Sequence, residues 1–322
     1  MAAVVLRLAG TFCVVIDGDL DGGAPGTERV VGSPKARRLL ALLASRRGQV
    51  VSPEGLVDAL WGARPPERPE RNVATLVSRL RAQLGADVIA GDSRGYRLGA
   101  ARVDVDEAAR LVDEAGRRLE AGTPAVAASA AGRALVLLGS GAALVGEPDA
   151  DWVDTLRDEV WSLLRTARHR AAEAALRTGR GREAADLATA AVGDDRFDET
   201  AHRLLMRAYR EVGEPARALT TYSDLAAALR DELGVEPAPQ TRRVHLAILR
   251  EEREGATAPV SARNSAPGVV GRDAELALLG AAWEAACRGC PTVLLLAGEA
   301  GMGKTRLADE AATAAVSTGA RQ

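Results

Sequence analysis

The sequence predicts a mainly α chain with a small β component, arranged as successive domains. Three observations carry that expectation. Short alternating runs before residue 32 give way to helical periodicity, and alternation returns near residues 87–99. From 104 to 250 apolar residues recur at helical spacing almost without a break. A stretch rich in Ala, Pro, Ser and Gly at 254–268 then leads into a strand, a glycine-rich loop and a helix. The expected divisions are 1–102, 103–253, a linker at 254–268, and 269–322. A chain of 322 residues accommodates two or three domains with sizeable cores.

In the first domain, "AVVLRLAG", "FCVVIDG" and "ERVVG" are β-branched runs separated by Gly and Asp, which predicts a small antiparallel sheet. "SPKARRLLALLASRRG" (33–48) opens with Ser33 as N-cap and Pro34 at the first helical position. "SPEGLVDALWG" (52–62) repeats that start, with Leu56, Leu60 and Trp61 as its apolar stripe. The prolines of "ARPPERPER" (63–71) rule out helix there. "RNVATLVSRLRAQLG" (71–85) is the third helix, with Val73, Val77, Leu80 and Leu84 on one buried face. "DVIAGDSRGYRLG" (87–99) is a hairpin. Sheet, three helices and hairpin are the order of a winged helix-turn-helix, whose last helix enters the major groove and whose wing reaches the neighbouring backbone.

The second domain carries an internal repeat. Aligning 174–192 on 208–226 sets Gly179 over Gly213 and Ala184 over Ala218, both 34 residues apart, the tetratricopeptide period. Gly234 and Pro237 stop a later helix, and a last amphipathic helix carries Val244, Ile248 and Leu249.

Charge separates the two domains. Residues 1–102 hold 15 basic and 10 acidic side chains, residues 103–255 hold 21 and 28, and the overall −2 conceals the contrast. A basic head predicts a polyanionic partner. Lysine is nearly absent: Lys35 and Lys304 stand against 40 arginines. Cys13, Cys287 and Cys290 include a single C-x-x-C without further ligands at zinc-site spacing. The histidines His169, His202 and His245 sit in separate segments and make no metal or nucleophile–base pattern. The three cysteines make no disulfide framework, so a cytoplasmic protein is expected. No segment has the ~18 consecutive apolar residues of a membrane span, so no membrane contact is expected.

The order of "LLALLASRRGQVVS", "LVDALWG", "NVATLVSRLRAQLG" and "GDSRGYRL" resembles the OmpR-like winged helix of response regulators. Followed by "DWVDTLRDEV" and "RALTTYSDLAAALRDELGVEPAP", it resembles the Streptomyces antibiotic regulatory proteins, the SARP family, over about residues 1–250. "VVGRDAELALL" with the glycine-rich loop resembles the start of the STAND-type ATPase domain of large members. The resemblance implies a tetratricopeptide-like bacterial transcriptional activation domain at 103–253. It also implies an activator of a secondary-metabolite gene cluster that binds promoter direct repeats as a dimer and recruits RNA polymerase.

Matched to the response-regulator helix, Arg71, Asn72, Thr75, Ser78, Arg79 and Arg81 fall where that family touches DNA. Guanidinium groups clamp guanine edges or phosphates, and Asn and Thr read base edges. Arg94 at the wing tip is the next candidate, whereas Tyr96 is read as strand packing and Trp61 as core. Lys35, Arg37 and Arg38 are read as a solvated helix end rather than a phosphate site. The loop at 63–71 resembles the polymerase-contacting loop of related activators, with a plain connector as the alternative.

"GEAGMGKT" (298–305) fits G-x-x-x-x-G-K-[ST]. Gly298, Gly301 and Gly303 would turn N–H groups to phosphate, Lys304 would reach the β and γ oxygens, and Thr305 would hold Mg²⁺. ATP and Mg²⁺ are therefore expected ligands of a longer parent protein. Only 17 residues follow Thr305, too few for the acidic strand and water-positioning group that hydrolysis needs, so this chain is expected to take no cofactor and not to be an enzyme. A nucleotide-switched STAND ATPase and a helical-repeat scaffold are the alternative readings.

Overall fold

The computed structural model describes residues 4–16, 27–29, 31, 33–257, 273–287 and positions 295, 297, 304, 307, 308 and 312. It divides into two units, Met1–Gly255 and Ala256–Gln322. In the second unit the main described element is a helix over Asp273–Cys287.

The first unit opens with three short strands, β1 (Val4–Arg7), β2 (Cys13–Ile16) and β3 (Thr27–Arg29), paired antiparallel as expected. Three helices follow: α1 (Pro34–Ser45), α2 (Pro53–Trp61) and α3 (Pro69–Leu84). Both Ser-Pro starts cap as read: Ser33 Oγ accepts from Ala36 N–H, and Ser52 Oγ accepts from Gly55 N–H at 3.1 Å. The third helix begins two residues earlier than its apolar stripe suggested, because Pro69 occupies its first turn. The wing is β4 (Ile89–Asp92) paired with β5 (Gly95–Leu98).

Two backbone pairings lie beyond the sequence reading. Val51, between α1 and α2, exchanges both hydrogen bonds with Tyr96 and so adds a third line to the wing. Gly95 allows that approach: at φ +146° a Cβ there would stand 2.1 Å from the Val51 carbonyl oxygen. A fourth strand, β6 (Arg102–Val103), runs parallel to β1 and gives the sheet order β3-β2-β1-β6.

The helical region begins with α4 (Asp104–Glu120) and α5 (Pro124–Leu138), then α6 (Asp151–Arg177) and α7 (Gly181–Asp194). α8 (Glu199–Glu211), α9 (Pro215–Ala228) and α10 (Pro239–Thr257) complete it. The repeat is structural. Gly179 and Gly213 adopt left-handed φ of +71° and +79°, and Ala184 and Ala218 are fully buried. In each case the residue after the glycine donates its N–H to a carbonyl five residues back, Arg180 to Ala175 and Glu214 to Tyr209. A third copy escaped the sequence reading: Gly122 has φ +72°, Thr123 N–H donates to Arg118, and Ala127 is fully buried. Gly234 ends the helical path of α9 and its terminal π turn at φ +67°.

One continuous core runs from the β1–β2 sheet through α1 and α3 into α4, α5 and α6. A second core joins α6 to α10. The winged helix and the helical region thus meet across packed apolar side chains, not across a linker.

Candidate DNA-binding face

The face is built by α3. Val73, Leu76, Val77, Leu80 and Leu84 are buried against α1, α2 and the wing, which fixes the roll of the helix about its own axis. Arg71, Asn72, Thr75, Ser78 and Arg79 are all exposed on the opposite side. Among the described residues Arg71, Asn72, Ser78 and Arg79 have no side-chain hydrogen bond or ion pair, while the Thr75 hydroxyl donates to the Arg71 carbonyl at 2.9 Å. These five side chains share one face.

Arg81 is the exception. At about 100° per residue it lies roughly 80° round the helix from Arg71, toward the wing. It is half-buried, and its Nε donates to the Ile89 carbonyl at 2.9 Å. Its guanidinium braces the wing against α3. Ala82, which sequence reasoning missed, is exposed and continues the 71, 75, 78 stripe, so the same spacing would have found it.

At the wing tip the Arg94 side chain is 78% exposed, as read, but pairs with Asp92 at 3.0 Å. Asp92 also accepts the Arg94 backbone N–H at 2.8 Å. The bond from the Arg94 side chain, then the one from its backbone, holds the Asp92 carboxyl below its usual range; the same pair raises Arg94. Tyr96 is half-buried and packs on the core, and a Cβ on Gly91 would stand 2.7 Å from its ring. Trp61 packs on that core too.

The basic start of α1 departs from the reading as a solvated helix end. Lys35 donates to the Leu60 carbonyl and lies 5.6 Å from the Trp61 ring. Arg37 pairs with the buried carboxylate of Glu147 at 2.8 Å. Arg38 donates to the Ala59 and Pro148 carbonyls and lies 5.5 Å from the Trp152 ring. At the far end of the helix Arg47 pairs with Asp106 and Glu159. α1 is therefore a strap onto the helical region, because Arg37, Arg38 and Arg47 meet carboxylates and a carbonyl supplied from α4, α6 and the 147–150 loop, while Lys35 binds back onto α2.

Asp104 completes that seam. Its carboxylate is buried and accepts the backbone N–H groups of Leu8, Ala9 and Val105 at 2.8, 3.1 and 2.8 Å. Burial pushes its pKa up to about 6, with the three N–H groups pulling the other way.

The loop at 63–71 is largely exposed up to the first turn of α3. Of the histidines, His169 Nε2 lies 2.7 Å from Asp198, His202 is buried against the Asp198 carbonyl, and His245 stacks on Tyr222. No group of metal-ligating side chains occurs among the described residues, and none of their helices is long and apolar enough to cross a membrane. Of the glycine-rich loop, Gly298, Gly301, Gly303 and Thr305 lie outside the described residues; Lys304 has helical backbone.

Comparison with known proteins agrees with this architecture. Residues 26–98 match the family "Transcriptional regulatory protein, C terminal", residues 103–249 the "Bacterial transcriptional activator domain", and residues 268–321 the "AAA ATPase domain". The regulatory protein AfsR of Streptomyces griseus is 33% identical over 292 residues, which are 86% of this chain and 30% of AfsR. The chain thus spans under a third of the length of that relative. The transcriptional regulatory protein MoaR1 of Mycobacterium tuberculosis is 30% identical over 76% of this chain and 81% of its own length. The structure of Mycobacterium tuberculosis EmbR in complex with a low affinity phosphopeptide superposes with a TM-score of 0.70 at 26% identity, over 78% of this chain and 66% of that one.

Proposed function

This chain belongs to the SARP family of transcriptional regulators, and from that membership we propose that it is a sequence-specific DNA-binding activator. The observation that carries the reading is the face of α3. An apolar stripe is wholly buried on one side, and Arg71, Asn72, Thr75, Ser78 and Arg79 stand exposed on the other. A helix held at one roll presents the same five side chains to every operator, which direct readout requires. The excess of basic over acidic side chains in residues 1–102 supplies the sequence-independent attraction.

In this reading the targets are promoter direct repeats of an actinobacterial antibiotic gene cluster, bound by a dimer that recruits RNA polymerase. Family membership supports these finer assignments, and the seam supports a fixed geometry between the DNA face and the helical region. The test is a footprint by the full chain on the DNA flanking its own gene, with affinity measured against salt. A protected pair of direct repeats is expected, with log K falling by about 0.9 per neutralised phosphate for each unit of log salt. Equal affinity for unrelated DNA of the same length would overturn the reading.

For a longer parent protein, a nucleotide is the ligand proposed at the 298–305 loop. The support is its sequence, the match at 268–321 and the helical backbone at Lys304. In that longer protein, loss of MgATP binding on Lys304→Ala is the expected result, and unchanged binding would sink this assignment.

A further inference from the structure

The helical region is acidic, with 28 carboxylates against 21 basic side chains, yet it holds one cleft where arginines collect without carboxylate partners. The cleft lies between α6 and α8 and has a volume of 410 Å³. α6 contributes Thr166, His169, Arg170 and Glu173, and α8 contributes Thr200, Arg203, Leu204 and Arg207. Both sets follow the i, i+3, i+4, i+7 spacing of a single helix face, so two stripes oppose each other over two turns.

Its charges are unevenly satisfied. Glu173 is paired with Arg177 at 2.7 Å, and His169 with Asp198 at 2.7 Å. Arg203 is held by two hydroxyls, Thr200 at 2.8 Å and Thr241 at 3.1 Å, with no carboxylate on it. Arg170 and Arg207 have neither a hydrogen bond nor an ion pair among the described residues. Three arginines line the cavity: Arg203 is braced by two hydroxyls, of which Thr241 in turn donates to Glu199, and the Arg170 guanidinium lies beside Gly116 of α4. With no carboxylate paired directly to any of the three, they form a site for negative charge.

We propose that this cleft binds an acidic peptide segment in extended conformation, with two carboxylates on the three arginines. The length favours a peptide. Two helical turns span roughly 10 Å, which is about three residues of extended chain and more than a single phosphate fills. The width excludes duplex DNA, because packed helices stand only about 8–10 Å apart.

The test is fluorescence anisotropy of the full chain with a fluorescein-labelled peptide, Gly-Asp-Leu-Asp-Glu-Gly, beside its Asn/Gln counterpart at physiological salt. The acidic peptide binds and the neutral one does not. Arg207→Gln and Arg170→Gln each weaken binding about tenfold, the size of one charge-assisted hydrogen bond. Arg182→Gln, an exposed arginine of α7 outside the cleft, changes it less than about twofold. An unchanged melting temperature for Arg207→Gln shows that its loss is not unfolding, and its unchanged promoter footprint separates this site from the DNA face. Equal binding of both peptides, an equal loss in Arg182→Gln, or full displacement by duplex DNA or by equimolar inorganic phosphate would overturn the proposal.

Discussion

The seam and the α3 face draw on the same residue type and come from the same basic domain, yet they use it in opposite ways. At the seam Arg37, Arg38 and Arg47 are met by Glu147, by carbonyls, and by Asp106 and Glu159. On α3, Arg71 and Arg79 face solvent with no partner among the described residues. A guanidinium already holding a carboxylate has little left to offer a phosphate, so only the second set is available for DNA. The comparison also separates their consequences. Seam changes should alter stability and leave sequence preference intact, and face changes should do the reverse.

The largest effect is expected at the seam's buried acid. Asp104→Ala orphans three backbone N–H groups, at roughly 1–3 kcal/mol each before relaxation, and should cost about 4 kcal/mol in a urea titration. The pH dependence has a definite sign. The folded carboxyl titrates at about 6 and the unfolded one at 3.8, so between those values the native state holds more protons. Its contribution is fully present below about pH 4 and lost as pH rises through 6, up to about 3 kcal/mol relative to Asp104→Asn. A wild-type advantage over Asp104→Asn that grows with pH would contradict this. Glu147→Ala comes next, because it removes the carboxylate that Arg37 and Arg38 share. The Arg37 side chain is 40% exposed, which reduces the cost to about 2 kcal/mol. DNA affinity of the folded fraction should not change.

On the face, Arg79→Ala should leave the melting temperature in place and weaken operator binding by about 1–3 kcal/mol. If Arg79 reads a base, the loss falls on one operator position. If it holds a phosphate, the loss is the same on every sequence and the salt slope drops by about 0.9. A lowered melting temperature with unchanged affinity would move Arg79 into the seam class.

The elements of this distinction were unequally legible in the sequence. Local chemistry was plain: Ser33-Pro34 and Ser52-Pro53 announce two helices, and the stripe from Val73 to Leu84 fixes which side of α3 is free. Gly179 and Gly213 revealed the helical pairs because their spacing is regular. Gly122, with the same turn, stayed hidden because the loop at 139–150 and the 27-residue α6 lengthen its interval. β6 has two residues and therefore no period to detect. Non-local pairing was not legible at all. Arg37 and Glu147 lie 110 residues apart, and nothing near Lys35, Arg37 and Arg38 says that a carboxylate will arrive. A charge count records their presence and cannot say which cations are already engaged.

Arg81 is where the two classes can be told apart most finely. By sequence it belongs with the face, two residues beyond Arg79 on the same polar helix. By structure it donates to the Ile89 carbonyl and braces the wing, as the seam arginines brace the helical region. Arg81→Ala removes one part-buried hydrogen bond and the packing of its stem, so the expected loss is about 1 kcal/mol of stability. Sequence preference at every operator position should be preserved, because the five exposed side chains keep their roll. The wing should loosen, and amide exchange at Ile89 and Ala90 should quicken more than in the buried turns of α3. Arg81→Lys sharpens the point: an ammonium keeps the charge for a phosphate but lacks the Nε fork, so a phosphate contact would tolerate the change and a wing brace would not.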